Sequence, residues 1–262
     1  MRIILNADDF GSSPDTVEAT IACFERRLLT SATIMPNMPE TGRAVEFARA
    51  HPELSFGVHL TLTGDGREHA LSPPEEIPGL VDSEGRLLPT RAVRLRALAG
   101  RLSVDEIGRE IEAQIADVRA RGVPISHVDS HRHLHKLKPF RAALRRVLPR
   151  LGIRRVRGAQ DVWLRRPLLR ATYWWGPKWR RALAEGFVTT DHFYMPSSAG
   201  DRDWDRRLLA RVRTLPGRTL EVGVHPGSEE PWRAEELRSL AVFVRHARDE
   251  GHELASWAAL SS

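Results

Sequence analysis

Short apolar runs and amphipathic stretches take turns along the whole chain, and this alternation restricts the fold more than any other feature. Arg2 to Ala7 reads as a buried strand, and Ser13-Pro14 followed by Val17, Ile21 and Phe24 reads as a capped helix. Ala32 to Met35, Leu54 to Leu62, Ile125 to Val128, Ile153 to Val156 and Thr219 to Val224 are the further strands. The further helices are Thr41 to Ala50, Phe140 to Val147, Trp204 to Val212, Ala234 to Arg248, and a stripe of Ile107, Ile111, Ile115 and Val118 behind a capping box from Ser103 to Glu106. Strand-then-helix order implies parallel strands with helices outside, and right-handed crossovers curl such a series into a barrel or an open doubly wound sheet. The expectation is the α/β barrel: a (β/α) barrel of TIM-like type, with eight regular strands or fewer, in a single domain over residues 1–262.

The 262 residues are enough to bury one full core, and 41% hydrophobic against 28% charged residues is ordinary globular usage. A net charge of +6 invites a nucleic-acid reading, but lysine occurs only at 136, 138 and 178, and the arginines are spread through stretches that also hold 34 acidic residues. Solvated helix faces are expected, not a nucleic-acid site. Cys23 stands alone, which excludes an intramolecular disulfide and an all-cysteine metal site and fits a reducing, cytoplasmic setting. The apolar run at the N-terminus is too short for a signal peptide or a membrane span, so no stable membrane insertion is expected. A homodimer is compatible with all of this.

The residues that could do chemistry cluster at strand ends. Asp8 and Asp9 close the first strand, and adjacent carboxylates there need a cation or, more blandly, one caps the next helix while the other is solvated. His59 interrupts an apolar strand, where a single histidine is more often a hydrogen-bonded core residue than a ligand. Four histidines and an aspartate fall between His127 and His135, a density that a solvated loop explains poorly. A catalytic divalent site uses about three protein ligands and leaves a position for water. Asp9, His59 and one histidine of the cluster would suffice; so would Asp9, His131 and His135, if the last two shared one helical turn. His225, before Pro226-Gly227, is placed as an acid or base. In parallel barrels the active site forms at the C-terminal ends of the strands, where Asp8, Asp9, His59, Asp129, His131 and His225 all fall. Gly64 to Thr90 has the length and composition of a lid or binding loop. Trp174-Trp175-Gly176-Pro177-Lys178-Trp179, flanked by arginines, is read as helix packing, as a lid over a sugar, or as a membrane or oligomer contact.

Asn6-Ala7-Asp8-Asp9-Phe10-Gly11, Gly57-Val58-His59, Asp129-Ser130-His131-Arg132-His133-Leu134-His135 and His225-Pro226-Gly227 together resemble the YdjC-like carbohydrate deacetylases, which include chitooligosaccharide deacetylases. The resemblance implies a hydrolase that removes acetyl groups from a small N-acetylated sugar or oligosaccharide, with one divalent ion, Mg2+ or Zn2+, held by Asp9, His59 and His131. It further implies Asp8 as general base and His225 as general acid. Asp129, His133, His135, Trp174 and Trp175 are left to touch the sugar or to support the ligands from behind. A related branch acts on sugar-bearing hopanoid lipids, although Asp129-Ser130 and Gly227 follow the sugar-oligomer style. Two rivals stand beside this reading: the same metal barrel cleaving a glycoside, a phosphoester or a glycolipid, and a basic RNA-binding protein without catalysis.

Overall fold

The computed structural model describes residues 1–261 apart from 65, 67, 167 and 197–202. Its regular elements are β1 (Arg2–Phe10), α1 (Pro14–Glu25), β2 (Ser31–Ile34), α2 (Thr41–Ala50), β3 (Ser55–Leu60), α3 (Thr90–Leu98), α4 (Val104–Ala120), β4 (Ile125–Ser130), α5 (Lys138–Val147), α6 (Ala171–Ala184), β5 (His192–Tyr194), α7 (Trp204–Val212), β6 (Thr219–Val224), α8 (Pro231–Asp249) and β7 (Glu253–Leu254). Six parallel strands run in the order β4-β3-β2-β1-β6-β5, and the two-residue β7 adds to β1.

This sheet is curled into a half-barrel, and irregular chain spans its open side. The stretch expected as a strand at 153 to 156 is there only as single bridges, Val128 to Val156 and Arg155 to Val188. Beyond them the amides of Asp161 and Val162 donate to the carbonyl of Phe193 in β5, so backbone hydrogen bonds reach from one sheet edge to the other. The barrel expectation holds, with fewer than eight regular strands.

Strand alternation sorts the side chains. Ile3, Leu5 and Ala7 of β1 join the apolar core, whereas Asn6 and Asp8, of opposite parity, join a buried polar layer with Thr33, His59, His127, Asp129 and Glu221. Glycine makes room for that layer: a Cβ on Gly57 would stand 2.6 Å from the ring and the carbonyl of His127. Outside the sheet, Ser13 and Thr16 form a capping box for α1, with Pro14 in its first turn. Ser103 caps α4 as expected, but Glu106 leaves the box and accepts from the Gly79 amide at 2.5 Å.

That departure fixes the segment from 64 to 90. Glu110 accepts from the amides of Leu71 and Ser72, and Ile77, Leu80, Val81, Leu87 and Leu88 are buried. Residues 71–88 are packed on α4 through these contacts, whereas Glu68 lines a second, smaller cavity with the strand-end residues Asp9 and His131 and with Arg233. Much of the segment's length is thus taken up by a small apolar core of its own.

Candidate active site

Two neighbours on a strand ordinarily face opposite sides, yet Asp8 and Asp9 line one cavity. The cause is a bulge. Register slips between Ala7 and Phe10 of β1, and Asp9 takes a left-handed backbone with φ +60°, which returns its side chain to the side of Asp8. A comparable device follows β4, where Arg132 and His133 are both left-handed.

The residues so aimed meet at the floor of a cavity of about 1100 Å3. His59 Nε2 is 3.4 Å and His131 Nδ1 3.2 Å from the same oxygen of Asp9. One ligand atom from each of the three residues lies within 4.8 Å of the others. The other Asp9 oxygen accepts from Arg233 Nη2 at 3.0 Å. Behind His59, Asp129 Oδ1 sits 2.7 Å from Nδ1, so that nitrogen keeps its proton, and Nε2, which faces Asp9, is the atom a cation would take by displacing the proton there. Burial disfavours the His59 imidazolium, but Asp129, Asp9 and Asp8 outweigh burial and push its pKa up to about 10. Imidazole nitrogens and a carboxylate converging in a buried site, with His59 Nδ1 held from behind, are a donor set that fits one divalent cation, which would take the place of the proton on Nε2. Asp8, His59 and Asp129 also lie close together, but that trio is occupied by Arg157 and by the His59 to Asp129 contact.

Arg157, which the sequence reading missed, organises the rest. Fully buried, it pairs with both oxygens of Asp8 at 2.5 and 2.7 Å, with Asp129 at 2.5 Å and with Glu221 at 2.7 Å. Burial works against the Asp8 carboxylate, but Arg157 prevails and holds its pKa below the usual aspartate range. Glu221 is pushed up to about 7 by burial. Across the cavity the His225 amide donates to Glu236 Oε1 at 2.5 Å, and the same oxygen lies 3.3 Å from His225 Nδ1. Burial disfavours protonated His225, and Glu236, with Asp9 and Asp8, overrides it and raises the pKa.

The remaining expected residues divide. Asp129 supports His59 from behind. His133 lines the cavity, with Nε2 3.2 Å from Met195 Sδ. His135 does not reach it: its Nδ1 is 2.8 Å from Ser130 Oγ and its Nε2 3.4 Å from the Gly158 carbonyl. The rival ligand set of Asp9, His131 and His135 fails for the same reason, since two left-handed residues break the helical turn that would have aligned the histidines. His127 also serves the core, stacked on Trp257 at 4.8 Å. Trp175 lines the cavity with Trp163 and Trp179, whereas Trp174 turns out of it and donates to the Leu168 carbonyl. One signal for the missed residues was available: Glu221 interrupts an apolar strand. Arg157, Arg233 and Glu236 had none.

The sequence pattern of the family described as YdjC-like protein matches residues 2–259. A carbohydrate deacetylase of Geobacillus stearothermophilus is 37% identical over 226 residues, 85% of this chain and 78% of that relative. A carbohydrate deacetylase of Halalkalibacterium halodurans is 35% identical over 147 residues, 56% of this chain and 60% of that one. A crystal structure from Enterococcus faecalis V583, described as a candidate cellobiose-phosphate cleavage protein, superposes with a TM-score of 0.83 at 23% identity, covering 100% of this chain and 99% of the other, and so shares the fold. With a family match over nearly its full length and a relative aligned along most of both chains, this chain belongs to the YdjC-like family.

Proposed function

We propose that the chain is a metal-dependent deacetylase that hydrolyses the acetamide of a small N-acetylated sugar or oligosaccharide. The observation that carries the reading is the convergence of Asp9, His59 and His131 beside Asp8 and His225 at the floor of one cavity. Relatives named carbohydrate deacetylase support the substrate class.

Asp9, His59 and His131 would hold one Mg2+ or Zn2+, which supplies Lewis acidity to the acyl oxygen and to the attacking water. Asp8, kept ionised by Arg157, accepts a proton from that water. His225, whose pKa is raised chiefly by Glu236 against the effect of burial, is the proton donor: its Nε2, opposite the nitrogen held by Glu236, delivers a proton to the departing amine, since an amide anion is a very poor leaving group. Trp163, Trp175 and Trp179 offer aromatic faces for sugar rings. Asp129 orients His59, and His133 belongs to the wall.

Acetate release from N,N'-diacetylchitobiose, abolished by a chelator and restored by one divalent ion, is the expected result. Cleavage of the glycosidic bond with the acetyl groups intact would select the rival reaction on the same barrel.

The role of His225 predicts a pH profile. Its active form is protonated, so turnover falls as pH rises through its raised pKa. Glu236→Gln removes the main charge that raises it, and the alkaline limb of kcat/KM moves to lower pH while the acid limb stays. An alkaline limb that does not move assigns the proton to another group.

A further inference from the structure

The mouth of the cavity is apolar and cationic at once. Among the described residues the exposed large apolar side chains are Leu71, Leu95, Leu98, Leu168, Leu169, Trp174 and Trp175, and all but Leu71 lie on α3 or between Leu168 and Trp175. Leu98 and Trp175 line the same cavity, so the two groups form its lips. Little in the fold covers them: α3 buries only Val93, α6 buries only Gly176 and Leu183, and Leu169 is fully exposed. Clustered apolar side chains of this size on a surface mark something that binds there.

Charge identifies what that is. Residues 162–184 hold six basic side chains and no acidic one, and residues 90–104 hold four arginines and no acidic one, in a chain with 34 acidic residues. Arg165, Arg166, Arg170, Lys178 and Arg181 are exposed around the leucines and tryptophans. We propose that this rim is a docking surface for an anionic phospholipid bilayer, which brings the cavity mouth against the headgroup layer. Leucine gains by entering the acyl boundary, indole by lying at headgroup depth, and arginine by pairing with lipid phosphate. A nucleic acid would satisfy the arginines and tryptophans but would leave three or four leucines in water. A second copy of the chain meeting through the same patch would set the two basic segments against each other without a carboxylate to pair them. Among the described residues no helix is long and apolar enough to cross a membrane, and the proposed attachment is peripheral.

The test makes no use of deacetylation. The full chain is sedimented with vesicles of equimolar phosphatidylglycerol and phosphatidylcholine, and with phosphatidylcholine alone. Binding is expected to the anionic vesicles only, and to weaken at high salt. Leu168→Ser with Leu169→Ser should reduce partitioning roughly tenfold by removing apolar burial. Arg165→Gln with Arg166→Gln should reduce it by about fivefold for each arginine. Both pairs are exposed, and a melting curve matching the parent shows that each variant is folded. No binding to anionic vesicles, equal binding to neutral ones, or binding unchanged by the leucine pair overturns the proposal. So does tight single-stranded RNA binding that ignores the leucine pair, or a dimer in sedimentation equilibrium that this pair dissolves.

Discussion

Asp8→Asn is expected to retain its divalent ion while turnover falls roughly 10²- to 10⁴-fold, the range that a positioned acid or base supplies. Asp8 gives both oxygens to Arg157, and the converging set of Asp9, His59 and His131 is complete without it. Asparagine has nearly the same shape and cannot accept a proton from water. His59→Ala is the contrasting variant. It removes one of the three proposed ligands and also releases Asp129 from its contact with the ring, so the ion itself should be lost, and turnover should recover in part when the metal is supplied in excess. Metal content by elemental analysis, read beside kcat, separates the two cases. If both variants lose the ion to the same degree, Asp8 is part of the metal set and the division of roles is wrong.

What could be read in the chain beforehand was whatever leaves a local trace. Strands and helices with a clear period were visible, and so was the gathering of Asp8, Asp9, His59, His131 and His225 at strand ends, because a polar residue closing an apolar strand is a local anomaly. The bulge at Asp9 left no such trace, although it is what lets two adjacent carboxylates share one cavity. Strand pairing around 153 to 156 is limited to isolated bridges, too little to be distinguished from a full strand by periodicity. The histidine cluster was over-read for its last member: His135 is spent on Ser130 and Gly158, contacts set by the two left-handed residues before it. Arg157 was missed for a deeper reason. Its partners lie at positions 8, 129 and 221, and an arginine after a short strand says nothing about three carboxylates brought to it by the curl of the sheet.

Arg157 therefore carries the largest stability prediction. Three carboxylates converge on one guanidinium in a region closed to water, and breaking a buried ion pair from one side typically costs about 3–5 kcal/mol, because the remaining charge is left without compensation. Arg157→Met should lie at or beyond that range in urea unfolding at neutral pH, where Asp8 and Asp129 would face each other without a cation between them. Arg157→Lys should retain part of the stability and less of the activity. An ammonium is a point charge that can attract the three carboxylates but cannot hold both Asp8 oxygens in one plane, so the base would lose its fixed orientation. The pair thus distinguishes charge from geometry. Met and Lys variants equally unstable would mean that the planar fork itself holds the barrel together. A Met variant as stable as the parent would mean that the carboxyls are neutral in the folded protein, and Asp8 could not then be the ionised base proposed beside Asp9, His59 and His131.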